Sequence, residues 1–563
     1  MTSPRHQNKL WRSKLNRPHW SALYATLLMG CLVYAGCFNE EPSTYYGKSV
    51  PPRAQEFRWS DGGLPQTFDP AFAAAPPDTD AVRALFEGLT DYDPQTLAPV
   101  PGVATRWESS HDGRVWTFYL RDDARWSNGE KVTAQDFVRS WQRTLKIGAL
   151  APHTELLANI EGATPRAPQP ERTERPEQPE PQFGAHAINE HVLQVTLQHA
   201  DNSFAALVAH PVFRPVKLSD AEQTTPIASH ELISNGAFQL SATETDRVRL
   251  DRARNYWDGD SVSLDHVTFV NTPNPEDALS AYRDGQLDAV TNAPFEPLAL
   301  KLLAPYKDFR RSTFGALTYY VFNVNREPFD DVRVREALAL AIDRERISRV
   351  DLGGATEPAG RFLPDAMAGE KPVVQKTELL DYDVNKARDL LAQAGYSNGE
   401  GFPVIRLLVN RNEQQRIVAQ SIATMWRTAL NIQTEIMIRD WEPFEAASKA
   451  GECDVVRRGI VMQTTDELTN LGMLFERDSH LTTPRAATTE GVVHTPSPEP
   501  PPPQVTLIDS EAQALKELKA VPIYFASSYS LVKPYVSGFD LNVLDAPSLK
   551  RTRVDPNWKE QGR

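Results

Sequence analysis

The sequence predicts an α/β protein, and three stretches predict it. Residues 319–350 read as strand, turn and helix. Tyr319, Tyr320, Val321 and Phe322 form an aromatic and β-branched run, Asn325 and Pro328 mark a turn, and Asp330 or Asp331 caps the helix that follows. Residues 115–120 read as a strand, Ser127-Asn128-Gly129 as a turn, and Thr133 as the cap of a second helix. Residues 413–430 read as an amphipathic helix, 431–439 as a strand, and Trp441 as the opening of another helix.

Each helix is justified by spacing. Val334, Ala337, Leu338, Ala341 and Ile342 recur at i, i+3, i+4, i+7 and i+8 and share one face. Arg333, Arg335, Glu336, Arg344 and Glu345 are expected away from that face. Phe137, Trp141 and Leu145 belong to the second helix, and Ile417, Ile422, Met425, Trp426 and Leu430 lie largely on one side of the third. Earlier, 57–70 read as a strand and turn, and 81–93 as a helix running into a turn. From 192 to 197, Leu193, Val195 and Leu197 alternate with Val192, Gln194 and Thr196, the period of a strand. Tryptophans 116, 126 and 141 are expected in the core rather than in a site.

With 563 residues, 40% hydrophobic and 24% charged, the chain is long enough for several domains with sizeable cores. Its net charge of −14 argues against nucleic acid or anionic lipid as a partner of the main fold. The three cysteines are Cys31, Cys37 and Cys453, two of them in the N-terminal apolar segment, so neither a disulfide framework nor a cysteine metal site is expected. None of the 12 histidines falls in an HExxH pattern, and no GxSxG or phosphate-binding loop occurs. No metal, no cofactor and no catalytic residue is expected.

The first 19 residues are basic, 20–36 are mostly apolar, and Cys37 follows. The pattern predicts a secretory signal with a lipoprotein cleavage site. Cys31 competes with Cys37, but polar sequence (Asn39, Glu40, Glu41, Pro42, Ser43) follows only Cys37, which is therefore the expected lipidation site. The alternative is an uncleaved membrane anchor, for which the segment is slightly short of the ~20 residues of a span. Either places the body outside the cytoplasm. Two Pro-rich stretches, 161–181 and 482–504, lack apolar periodicity and are expected as exposed insertions.

Several long strings resemble one family. "FNVNREPFDDVRVREALALAIDRERI" (322–347), "DGRVWTFYLRDDARWSNGEKVTAQDFVRSWQR" (112–143), "LPQTFDP", "LFEGL", "PGVATRW", "ISNGAFQL", "RNYWDG" and "VPIYFASSYSLVKPYVSGF" follow in family order. They resemble the oligopeptide- and dipeptide-binding proteins of ABC importers, extracytoplasmic solute-binding protein family 5. The resemblance implies a periplasmic-binding-protein-like fold, with two α/β lobes, a ligand cleft between them and an additional inserted domain. It divides the chain into a signal peptide (1–36), a tether (37–56), a first lobe (57–73 with 185–315 and 525–563), the inserted domain (74–184, with a Pro-rich loop at 161–183) and a second lobe (316–524). It implies a peptide or peptide-like solute as ligand, ABC permease subunits as partners, and a membrane reached through the lipid.

The implied site residues follow from matching strings. The family's recognition segment matches residues 453–464, where Arg457 stands for the arginine that meets a peptide carboxylate. The alternative is that Arg457 pairs with a neighbouring acid. Gly459 is retained, and Trp441 is a further candidate. Gln463 stands where the family has the aspartate that holds the ligand's ammonium, a loss worth about 2–5 kcal/mol for a buried pair. Ile460 and Thr464 replace a tryptophan and a tyrosine, and Ser448 replaces a second arginine. Main-chain contacts to a peptide are expected near Ala74, Ala75 and Pro76, where the proline removes a donor. These departures leave a second reading open: a degenerate member serving as a surface interaction or sensor subunit.

Overall fold

The computed structural model describes residues 44–163, 182–218, 223–367, 379–483, 508 and 510–560. The expected signal peptide with Cys31, the expected lipidation site Cys37, the start of the expected tether and most of both Pro-rich stretches fall outside the described residues.

An eleven-stranded mixed sheet runs through the whole body. In chain order its strands are β1 (Glu56–Asp61), β2 (Phe238–Thr243), β3 (Arg247–Arg252), β4 (His266–Val270), β5 (Ala289–Thr291), β6 (Phe309–Phe322), β7 (Thr356–Pro358), β8 (Ile405–Asn410), β9 (Thr434–Arg439), β10 (Val455–Val461) and β11 (Ala520–Val532). Across the sheet the order is β9-β8-β10-β6-β11-β5-β1-β4-β3-β2, with β7 also paired to β11. Each end has a parallel centre: β1 lies between β4 and β5, and β8 between β9 and β10.

Two cores sit on the two ends. The first joins Phe57, Trp59, Phe238 and Phe269 to Trp116, Phe118, Leu193 and Val195 of a separate four-stranded sheet, and to Phe137 and Trp141. The four-stranded sheet and helix Ala134–Ile147 therefore pack as one hydrophobic unit with this end of the large sheet. The second core gathers residues 319–322, Val334, Leu338, Leu408, Ile422, Trp426, Val455 and Ile523. Tryptophans 116, 126 and 141 are buried, as expected.

Most local expectations hold. Thr133 and Asp136 form a reciprocal cap at the start of helix Ala134–Ile147. Asp331 caps Val332–Leu340 by accepting from the Arg333 N–H at 2.8 Å. Two readings are corrected. Residues 431–433 are not strand: Asn431, at φ 60°, ends helix Glu413–Leu430, and β9 begins at Thr434. Nor do Arg335 and Arg344 lie on an outward polar face, since both are buried. Arg335 donates to the carbonyls of Phe329 (2.8 Å), Asp330 (2.9 Å) and Glu517 (2.6 Å). Arg344 donates to those of Pro522 (2.8 Å) and Leu380 (3.2 Å). A guanidinium with five donors can satisfy several carbonyls converging from separate segments, which helical periodicity cannot reveal.

Strands β6 and β11 belong to both ends of the sheet. They pair antiparallel from Phe309↔Leu531 to Val321↔Ala520, with irregularities between Thr313 and Leu317 and between Thr318 and Tyr319. At the first irregularity Gly315 donates to Val543 O (2.7 Å) and accepts from Met462 N–H (2.8 Å). A Cβ there would stand 2.9 Å from that same Val543 oxygen, so the crossing needs glycine.

Three buried carboxylates lie on the first-lobe side of this junction. Asp61 accepts from Thr291 (2.6 Å) and Asn292 (2.7 Å), Asp80 accepts from Arg83 (3.0 Å), and Asp545 comes from the C-terminal segment. Burial raises all three pKa values, and the charge of Asp61 raises those of Asp80 and Asp545 further; Asp545 is pushed up to about 6. A raised folded-state pKa stabilises the fold below the unfolded value near 4, and that stability is lost as pH rises through 6. Asp545→Asn is accordingly expected to stabilise the protein at pH 7.5, by on the order of 2–3 kcal/mol. The gain should shrink between pH 6 and 4 in urea unfolding curves; a gain independent of pH would contradict the assignment.

Candidate ligand-binding site

Strand alternation sends Arg457 and Arg458 of β10 to opposite faces of the sheet. On one face Arg458 is buried and fully matched. It meets Asp478 (2.6 and 2.7 Å), Glu445 (3.2 Å) and the Ser448 hydroxyl (2.5 Å). Ser448 is thus enclosed within an ion-pair cluster and cannot stand in for a ligand-facing arginine.

On the other face Arg457 is half-buried, and among the described residues it has no carboxylate partner within ion-pair range. The reading in which it pairs with a neighbouring acid is therefore overturned. Its contacts are neutral: Thr318 Oγ1 at 3.3 Å and Asn410 Oδ1 at 3.5 Å, while its Nε is buried without a hydrogen bond. Burial lowers its pKa, partly offset by Tyr524, Tyr320 and Tyr319. The guanidinium lies over Gly459, where a Cβ would stand 3.0 Å from Nη2. Gly459 therefore makes room for the arginine.

Around Arg457 the polar groups are incompletely matched. Tyr524 Oη accepts from Gln414 (3.2 Å) and Gln415 (3.0 Å) at the start of helix Glu413–Leu430. Tyr320 Oη and Gln415 Oε1 are buried without partners. Neutral donors and acceptors beside a cation without an acid form an anion-receiving surface. Trp441 stands two residues beyond Arg439, the β9 partner of Asn410, and is 56% exposed; its ring stacks on Phe444. It shares the C-terminal end of these parallel strands with Asn410, but its ring neighbours belong to the Arg458 side: Arg477 lies 5.8 Å over its ring, and Phe444 lies 5.1 Å from the Arg458 guanidinium.

Gln463 and Ala74–Pro76 belong to a second group, at the meeting of the two ends of the molecule. Ala75 is exposed, Pro76 is half-buried, and the Pro76–Pro77 peptide is cis. Ala74 O accepts from His153 Nε2 at 2.8 Å. The His153 ring lies 5.0 Å from the buried ring of His210, edge to face. His210 Nδ1 accepts from the Val212 N–H (3.1 Å), so its Nε2 carries the proton of the neutral ring; that atom is buried without a hydrogen bond and Gln463 faces it. Burial drives the His210 pKa well down. Thr464 Oγ1 meets Tyr92 Oη at 3.4 Å, and Tyr92 in turn donates to Ala206 O at 2.7 Å.

The predicted residues thus form two groups, Arg457 with Gly459 and Gln463 with the Ala74–Pro76 loop, while Trp441 stands apart on the rim. Sequence reasoning missed His153, His210, Tyr320, Asn410, Gln415 and Tyr524. Histidines 153 and 210 lie 57 residues apart in unremarkable local sequence, and only the fold stacks them.

The model of the bacterial extracellular solute-binding proteins, family 5 (middle), matches residues 98–479. The chain is 30% identical over 510 residues to the periplasmic murein peptide-binding protein MppA of Escherichia coli, covering 87% of this chain and 91% of that protein. It is 30% identical over 506 residues to the periplasmic oligopeptide-binding protein OppA of Salmonella typhimurium, covering 85% and 89%. Among solved structures, the unliganded open form of MppA gives a TM-score of 0.73 at 28% identity, covering 90% of this chain and 98% of that one. Haemophilus influenzae OppA in complex with RPPGFSPFR gives 0.57 at 25% identity, covering 90% and 99%. On fold and sequence together, the chain belongs to family 5 of the bacterial extracellular solute-binding proteins, binding proteins of two α/β lobes with an additional domain and not enzymes.

Proposed function

We propose that this chain captures a peptide or peptide-like solute between its lobes and delivers it to the permease of an ABC importer, held at the membrane by a lipid on Cys37. The observation that carries the reading is Arg457, a half-buried guanidinium that lacks an acid partner among the described residues. Desolvating a cation without a counter-ion is costly, and a ligand carboxylate would supply the missing partner in bidentate geometry. Relatives named for murein peptides and oligopeptides point to the same ligand class. In this reading Gly459 leaves Arg457 accessible, Trp441 offers an apolar rim, and Ala75 and Pro76 offer main chain with one donor missing. Gln463 and the neutral His210 Nε2–H would meet an uncharged or hydrogen-bond-accepting part of the solute. The lobe and domain borders are those set out from the sequence, at 57–73 with 185–315 and 525–563, 74–184, and 316–524.

Native mass spectrometry of the soluble protein from residue 38 onward tests this directly. A co-purifying small mass whose fragments identify a peptide is the expected result. A protein empty on purification, and still empty after incubation with a random short-peptide mixture, would favour the surface-interaction reading instead.

Two substitutions probe the arginine. Arg457→Ala is expected to weaken binding of the identified ligand by roughly 30-fold or more, the low end of about 2–5 kcal/mol for a buried charge pair. It should leave the melting temperature of the ligand-free protein unchanged or raised, because it removes an unpaired buried cation. Gly459→Ala should displace the guanidinium and weaken the same binding by roughly tenfold, or about 1.4 kcal/mol. Calorimetric affinities equal to the parent's in both variants would exclude Arg457 from the site.

A further inference from the structure

The first described residues are strapped onto the first lobe. Thr44 O accepts from the Lys307 N–H (3.0 Å), and the Tyr46 N–H donates to both carboxylate oxygens of Asp308 (2.9 and 3.1 Å). The buried Lys533 donates to Tyr46 O (3.1 Å), and the Lys48 N–H closes onto Arg283 O (2.8 Å). The Tyr46 ring packs against Tyr282 and Tyr306, at 6.3 and 5.3 Å between centroids. The strap thereby determines where the tether leaves the body: beside residues 304–307, which directly follow helix Pro297–Leu303.

That helix turns leucines outward. Leu298 and Leu302 are 68% and 65% exposed and, four residues apart, share a face, while Leu303 is buried. Val50, just past the strap, is exposed as well. Lys301 lies between them in the helix, and Lys48 and Lys307 are exposed at the strap; Glu276, Asp277, Asp284 and Glu296 are exposed acids of the adjoining segments. An apolar face flanked by lysines suits the headgroup boundary of a bilayer, and it stands out on a chain of net charge −14.

We infer that this face of the first lobe rests on the lipid surface, with Leu298 and Leu302 entering the headgroup layer and the three lysines meeting lipid phosphates. The inference builds on the lipid anchor proposed for Cys37. Six residues separate Cys37 from Thr44, and seven Cα steps reach at most about 25 Å. Such a short leash keeps the face at high effective concentration beside the membrane, so a contact too weak to recruit a free protein suffices. The strap selects which face is presented. The first lobe is then the held lobe, and the second, joined to it through β6 and β11, is the one that moves.

The test uses the full chain, purified with its own anchor and reconstituted into vesicles of equal parts phosphatidylcholine and phosphatidylglycerol. An environment-sensitive fluorophore is placed at Leu302→Cys, and in a parallel sample at Val350→Cys, an exposed apolar position of the second lobe (71% exposed). Cys453 is buried and its thiol pKa is pushed up to about 12, so it stays unlabelled. The label at 302 is expected to shift to the blue and to be quenched by spin-labelled lipid, the label at 350 to do neither, and Leu298→Asp to abolish the shift at 302. Equal, water-like emission at both positions overturns the inference. So does a shift at 302 that arises only when permease is reconstituted alongside, which would give this face to a protein partner. The anchor is read separately from the mass of the N-terminal peptide. Cys37 without acyl mass removes the anchor and the contact together; acylated Cys37 with no shift at 302 removes the contact alone.

Discussion

The pairing of β6 with β11 is the constraint on which the rest of the structure depends. These two strands carry the sheet from one hydrophobic core to the other, so each must fit two environments along its length. Phe309 to Thr313 pair beside the first-lobe strands, whereas residues 319–322 lie wholly inside the second core. A connection made of hydrogen-bonded strands resists shear and splaying more than a pair of loops would. It yields where the ladder is irregular, and the irregularity at 313–317 coincides with Gly315, which reaches out to Val543 and Met462.

The strings that made the family legible turn out to be mostly scaffold. Asp69 of "LPQTFDP" accepts both arms of the buried Arg143 (3.0 and 2.7 Å), tying an early turn to the helix of the inserted segment. Glu87 of "LFEGL" accepts from Tyr256 and Trp257 of "RNYWDG", and its main chain exchanges hydrogen bonds with Asn235 of "ISNGAFQL" (3.1 and 3.0 Å). Three separated strings thus converge on one buried residue, two at its carboxylate and one at its main chain. Each is expensive to change singly, because losing one partner leaves a buried polar group unmatched.

Arg457 and Arg458 show how adjacent residues of one type acquire different tasks. Alternation along β10 is enough to separate them. Helix Trp441–Lys449 and the segment around Asp478 bring acids to one face, and Arg458 is neutralised there. On the other face Asn410 and Thr318 accept from Arg457, and the groups around them are neutral, so the cation is solvated without being cancelled. Whether a buried arginine is structural or available to a ligand is decided by what packs over it.

The sequence by itself determined the α/β class, the cap at Thr133, a second cap at Asp330 or Asp331, the core tryptophans and the existence of helix Glu413–Leu430. All are set by interactions within a few residues, or by a periodicity that any long-range packing must respect. It also placed Arg457 and Gly459 in one segment. Only the tertiary structure decided that Arg335 and Arg344 are buried, that Ser448 is sealed beneath Arg458, and that Arg457 lacks an acid partner among the described residues. The same holds for the stacking of His153 on His210 and for the strap that joins Thr44 to Lys307. Most of those outcomes rest on partners from ten to hundreds of residues away, and no local pattern records which carbonyl, carboxylate or ring will arrive.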